Sequence, residues 1–336
     1  MIKKCNKKKF NILIYIFFFL LISKSNSFSS TNAPDFDKWL IDFKQIAFDK
    51  GISKETINLA FKNVKFLDQV IKYDRKQPEF FEDTITYINR RATQSRVKNA
   101  LKLLKKNENL FIEIENKYNV EKEILLSLWA IETNFGKHVG KMDIISCLST
   151  LSFDKRRSAF FSKQLLTLLT LIDKKIIHPD ELFGSWAGAY GNFQFMPSTI
   201  SNYAIDYDKN SKIELKSSLP DSLASAANYI NKIGWKKGEP CFKQVLFTKE
   251  IKQSDLNKSA RGIKNRKKIS SWNRKGVKNI NNTSLEGNYK SALITPDGYE
   301  KGPKYLVFSN YEKILQWNRS LRFGITVCTL AEKIKS

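Results

Sequence analysis

Glu132 is the residue of this sequence best placed for acid–base chemistry. It sits near the end of EKEILLSLWAIETNF (121–135), whose apolar spacing predicts a short helix stopped by Gly136. Leu125 lies seven residues before Glu132 and Leu128 four before. On a helix they point within about 20° and 40° of it. Trp129, three residues back, is on the same side. A carboxyl is therefore set on an apolar face, and glutamate is rarely buried unless paired. Burial disfavours the charged form and keeps the proton on near neutral pH. That is the property a general acid needs to protonate a glycosidic oxygen. The helix alone leaves a second reading open, in which the side chain reaches out to water or pairs with a basic residue.

The next segment with chemical content is GSWAGAYGNFQFMPS (184–198). Its glycines, aromatics and proline predict a structured loop that leads into a helix at Pro197. Ser185 and Gln194 bring a hydroxyl and an amide, and Gly188 and Gly191 permit close backbone approach. Metal chemistry finds little support. His138 and His178 stand far apart with no Cys or His ligand pattern around them, and no cofactor motif is present. Past Cys5, the cysteines Cys147, Cys241 and Cys328 are odd in number and widely spaced. They read as small core residues and not as a disulfide framework.

These residues need a frame, and the flanking sequence predicts a mostly helical one. Trp39, Phe43, Ile46 and Ala47 repeat at helical spacing up to Gly51, and Ser53 caps a second helix with Glu55 in its first turn. Pro78 opens a further segment through Tyr87, and 95–118 continues the helical pattern. Helices are also predicted over 155–173 and over 221–233, the latter with Asp221 as N-cap. From about 241 to 308 short β-type runs appear at Gln244–Thr248, Ser291–Thr295 and Tyr305–Ser309, with a mobile basic loop expected around 249–284. The stretch 310–335 is helical again. The fold class is mainly α, with a minor β part.

Hydrophobic residues make up 42% and charged residues 27% of the chain, enough apolar material for a real core. A net charge of +25 favours polyanionic partners. Within 249–290 the aromatics are Trp272 and Tyr289, too few to form stacking platforms for single-stranded nucleic acid, and no nucleic-acid partner is expected. Residues 1–27 read as a secretory signal: lysines at 3, 4, 7, 8 and 9, an apolar run Phe10–Ile22, then a small polar stretch ending Ser25-Asn26-Ser27. Export to the periplasm follows, with retention at the inner membrane if the segment stays uncleaved.

Six segments, taken in order, resemble the lytic murein transglycosylase B family: DRKQPEF (74–80), LSLWAIETNFGKHVG (126–140), LSTLSFDKRRSAFF (148–161), GSWAGAYGNFQFMPST (184–199), DSLASAANYINKIGWKKGEP (221–240) and SNYEKILQWNRSLRFGITVCTLAEKI (309–334). The resemblance implies a helical N-terminal region (28–118), a lysozyme-like catalytic core (119–240), a small β-containing insert (241–308) and a C-terminal helical segment (309–336) that returns to the core. It implies cleavage of the β-1,4 bond between N-acetylmuramic acid and N-acetylglucosamine in peptidoglycan glycan strands, leaving a 1,6-anhydro end. Glu132 would serve as acid and then base.

By motif position, the resemblance places Ser185, Gln194 and Asn318 beside Glu132, Arg156 and Arg157 near the cleft, and Phe195 and Met196 lining the cleft or supporting it. Tyr87 is a further candidate for stacking on the glycan. Trp317 and Phe323 stand where the family has tyrosines; they keep a stacking face for the substrate but lack the hydroxyl, so two hydroxyl hydrogen bonds are expected to be lost. Some members carry a calcium loop after the QFMPS segment. Here Asp206, Asp208 and Asn210 keep its first alternate positions, but Ser211 and Ser217 occupy the sixth and twelfth, and no metal is assigned. A lysozyme-type hydrolase and an inactive wall-binding module remain as alternative readings.

Overall fold

The helical periods are realised in a computed structural model that describes residues 33–76, 82–179 and 182–336. The expected export signal and Pro78 lie outside these residues. Among the described residues, no helix is long and apolar enough to cross a membrane.

The first helices are α1 (Ala33–Asp49), α2 (Lys54–Ala60), α3 (Asp68–Arg75), α4 (Thr84–Arg91), α5 (Gln94–Lys106) and α6 (Glu108–Tyr118). Ser53 caps α2 as the sequence predicts: its Oγ accepts from Thr56 N at 3.1 Å and donates to Asp173 Oδ1 at 2.5 Å. The pattern over 95–118 divides into two helices at Asn107, whose Nδ2 donates back to Leu103 O at 2.9 Å.

Helix α7 (Lys122–Thr133) follows, buried on every side from Ile124 to Ala130. A two-residue strand, β1 (Met142–Asp143), leads into α8 (Ile144–Phe153), which is buried from Ile144 to Ser152. Ser146 and Thr150 of α8 accept from Lys65 N and Leu67 N, which fastens the N-terminal helices to this centre. Next come α9 (Ser158–Asp173), β2 (Phe183–Gly184), α10 (Pro197–Tyr203) and α11 (Leu219–Lys232). Strands β1 and β2 pair antiparallel, Met142 opposite Gly184, and hold the glycine-rich loop beside the end of α7.

Asp221 does not cap α11. Ser218 does, its Oγ accepting from Asp221 N at 3.2 Å. The Asp221 carboxylate is fully buried and accepts instead from Tyr207 N and Glu214 N, at 2.8 and 2.9 Å. Its partners lie in the preceding loop, beyond the reach of a local capping rule.

The β segment contains β3 (Phe242–Phe247), β4 (Leu256–Asn257), β5 (Lys267–Lys268), a short helix α12 (Ile269–Arg274), β6 (Val277–Asn279), β7 (Lys290–Ile294) and β8 (Lys304–Val307). The sheet runs β4-β7-β8-β3-β6, antiparallel except for β4 with β7, and β5 pairs with β7. Alternation along its strands divides the side chains between two cores. Ala292, Ile294, Tyr305 and Val307 join the main core, while Leu293 and Leu306 face a smaller one with Trp272 and Phe308. The expected mobile loop around 249–284 is therefore corrected. It holds β4, β5, α12 and β6, pinned by Trp272, which is fully buried and donates to Ser291 O at 3.1 Å.

Helices α13 (Ser309–Trp317) and α14 (Leu321–Lys335) complete the chain. The buried Ser127 of α7 donates to Val327 O of α14 at 2.6 Å. Behind this contact Cys241 and Cys328 form a disulfide, Cα atoms 6.1 Å apart, across a separation of 87 residues. The expectation of three unpaired core cysteines holds for Cys147 alone, where burial, aided by the Asp143 charge, pushes the thiol up to about 12. The pair arises because the fold lays the start of β3 against α14.

Candidate active site

Glu132 occupies the last turn of α7 and is half-buried. The helix ends there because Asn134 adopts the left-handed conformation, φ 50°, and its N–H returns to Ala130 O at 3.1 Å. The turn is braced from the glycine-rich loop. Thr133 Oγ1 donates to Asn192 O at 2.7 Å and accepts from Gly136 N at 3.0 Å. Trp129 Nε1 donates to Asn192 Oδ1 at 3.1 Å. The Asn192 amide in turn donates to Leu215 O, Lys216 O and Ser222 Oγ. One buried asparagine thus joins α7, the loop and α11. It stands inside a quoted motif, yet a single polar residue between Gly191 and Phe193 carries no local signal of such a role.

Trp317, the last residue of α13, donates its indole Nε1–H to Glu132 Oε1 at 2.9 Å. The expected loss of a hydrogen bond at this position is corrected: the indole nitrogen supplies the donor that a phenol would have supplied. The Trp317 ring then stacks on Tyr229, centroids 5.1 Å apart and planes 25° apart, and Tyr229 stacks on Tyr203 at 4.5 Å and 24°. Phe195 meets Trp317 at 5.3 Å. Glu132, Trp317, Tyr229 and Tyr203 form one column. Tyr229 and Tyr203 lie at helical positions that the sequence offers as ordinary core.

Gln194 has φ 51°, and its Nε2 donates to Val139 O at 3.1 Å and Gly191 O at 2.9 Å. Its amide therefore holds the loop against the segment following α7. Ser185 is half-buried, and its Oγ accepts from Ala189 N at 3.0 Å, so its own hydrogen can point outward. Gly191 has φ 76°, and a Cβ there would strike the Leu215 carbonyl. Asn318 ends α13 directly after Trp317, half-buried.

Other predicted residues lie deeper in the fold. Phe195 and Phe323 are each 3% exposed, and both belong to the main core. Phe195 supports Trp317 from behind, and Phe323, expected among the substrate-facing positions, is instead a packing residue of the core. Tyr87 is also buried, and the Arg91 guanidinium lies 3.6 Å from its ring centre, so no ring face is offered to a glycan.

Arg156 and Arg157 converge on Asp74 of α3, whose side chain is 1% exposed. Burial alone would raise the Asp74 pKa, but hydrogen bonds and charge from the two arginines hold it below the ordinary carboxylate value. Both arginines keep over a third of their side-chain surface. Tyr73, next to Asp74, meets Trp186, the residue after Ser185, at 6.4 Å between ring centres.

The loop after α10 gathers Asp206, Asp208 and Asp221, with one oxygen of each within 4.8 Å of the others. Asp206 accepts from Asn210 N and Ser211 N, and Asp208 accepts from Ser218 Oγ. Ser211 takes φ 69°, the conformation a glycine would supply at the sixth position of a calcium loop. No carboxylate stands at the twelfth position, Ser217, and the third carboxylate of the cluster comes instead from Asp221 of α11.

The profile of the transglycosylase SLT domain matches residues 35–332. The chain belongs to this family. It is 31% identical over 219 residues to membrane-bound lytic murein transglycosylase B of Escherichia coli K12, a match that spans 65% of this chain and 58% of the relative. Two Pseudomonas aeruginosa structures share the fold. SltB3, solved with NAG-anhNAM-pentapeptide, superposes with a TM-score of 0.81 at 31% identity, covering 90% of this chain and 80% of that one. The soluble lytic transglycosylase SltB1 gives 0.77 at 26% identity, covering 88% and 98%.

Proposed function

We propose that this chain is a peptidoglycan lytic transglycosylase in which Glu132 is the single catalytic carboxyl. The observation that carries the reading is the half-buried Glu132 held by the Trp317 indole, in a fold that SltB3 uses to hold NAG-anhNAM-pentapeptide. The Trp317 N–H donates to Oε1, which orients the carboxyl and the proton it carries in its acid form. That proton passes to the bridging oxygen as the bond from muramic acid C1 breaks. The C6 hydroxyl of the same sugar attacks C1, and its proton returns to Glu132. No water is consumed, and the product ends in a 1,6-anhydro ring.

Ser185 and Gln194 line the approach, and Asn318 contributes an amide beside Trp317. Arg156 and Arg157 offer their remaining guanidinium donors to anionic groups of the substrate. The Cys241–Cys328 disulfide supports an exported enzyme, because such bonds persist in oxidising compartments such as the periplasm. Mass analysis of digested peptidoglycan tests the reading. Anhydromuramic ends are expected, and reducing ends carrying an added water would overturn it in favour of a hydrolase.

A further inference from the structure

Beside the Tyr203–Tyr229 end of the aromatic column lies a cavity of about 560 Å³. It is walled by these two rings and carries Arg261, Arg266, Glu312 and Arg319. Arg266 Nε donates to Glu312 Oε1 at 2.7 Å and a second N–H reaches the other oxygen, so those charges cancel. Arg261 and Arg319 are exposed, and among the described residues neither is drawn into an ion pair. Arg319 follows Trp317 by two residues. Arg319 and Tyr229 line the same cavity, where burial pushes the Tyr229 phenol up to about 12 and the Arg319 charge acts against that rise. Arg261 comes from a different element, the link between β4 and β5. Two uncompensated guanidinium groups from separate parts of the chain thus converge on one aromatic-walled cavity.

We propose that this cavity takes a carboxylate of the peptide stem on a muramic acid neighbouring the bond that Glu132 cleaves. The proposal rests on reading the chain as a glycan-strand-cleaving enzyme. Stems hang from every second sugar, so a strand lying past Trp317 presents one at the next repeat. A planar guanidinium matches a carboxylate bidentately, whereas neutral sugars alone leave two such cations unused. The aromatic wall suits the aliphatic body of the stem. Arg156 and Arg157 form a separate place: they already share Asp74.

The test measures binding by calorimetry in the chain carrying Glu132→Gln, so that ligands are not consumed. The probes are a stem-bearing tetrasaccharide of alternating N-acetylglucosamine and N-acetylmuramic acid and the same glycan with each stem replaced by a neutral amide on the lactyl group. Adding Arg261→Ala with Arg319→Ala is expected to weaken the stem-bearing ligand about ten-fold and the amide ligand less than about two-fold. The paired lysine replacements restore part of the loss. Arg319→Ala alone serves if the double change impairs folding. Equal weakening of both ligands, no weakening of either, or binding of neither by the Glu132→Gln chain would overturn the site. The chemical reading fails separately, in the product masses of the unaltered chain.

Discussion

The indole nitrogen of Trp317 lies 2.9 Å from Oε1 of Glu132, and the two residues are 185 positions apart in sequence. A hydrogen bond to a group that changes charge is worth roughly 1.5–3 kcal/mol, or about ten- to a hundred-fold in rate. Trp317→Phe keeps a ring in the stack and removes the donor. Its kcat on purified peptidoglycan is expected to drop by that factor, with Trp317→Tyr recovering most of it. Unchanged turnover in Trp317→Phe would show that the contact does not orient the carboxyl.

Glu132→Gln retains the shape of the side chain and its partner but has no proton to give. Release of anhydromuropeptides should fall by at least about a thousand-fold, the scale of a lost acid–base group. The thermal midpoint should stay close to that of the parent. Retained lysis would contradict the assignment of a single carboxyl.

Asn192 is a structural joint. Asn192→Ala leaves the Trp129 indole and the Leu215 and Lys216 carbonyls without this partner in a buried setting. The expected cost is roughly 2–4 kcal/mol in urea unfolding, with a loss of activity because the turn bearing Glu132 loosens. A stability change below about 0.5 kcal/mol would argue that water fills the place.

The disulfide closes a long span, for which chain-entropy reasoning gives about 4–5 kcal/mol. The paired Cys241→Ser and Cys328→Ser variant should unfold at a clearly lower denaturant concentration, and added reductant should move the parent toward it. Coincident midpoints under both conditions would refute a stabilising bond.

Asp74 predicts the acid side of the stability profile. Its folded pKa is held below the ordinary value near 4, so the carboxylate contributes stability above that value. The contribution is lost as pH falls from about 4 through the folded value. Asp74→Asn should flatten this part of the curve and weaken the fold at neutral pH, where Arg156 and Arg157 lose their shared acceptor. An identical acid slope in parent and variant would remove the junction from the explanation.

The helix of Glu132 and the loop before Pro197 are legible because their signals are local: apolar spacing, glycines and a proline, although the helix stops at Asn134, two residues before the expected Gly136. Trp272 was hidden among lysines, since strands of two or three residues are too short to display a period. Asp221 looks like a cap in sequence because its true donors lie in the preceding loop, which closes back on it only in the folded chain. The Cys241–Cys328 pair depends on two elements meeting across 87 residues, which no spacing rule reports. Trp317 was read through its missing hydroxyl, and the orientation of its nitrogen appears only when α13 is laid against α7.

That meeting of α7 and α13 also has a meaning in time. The carboxyl emerges from the ribosome long before the indole that orients it and the α14 segment that closes over its helix. A chain cut before α13 therefore lacks both the indole that orients the carboxyl and the α14 backbone that accepts from Ser127.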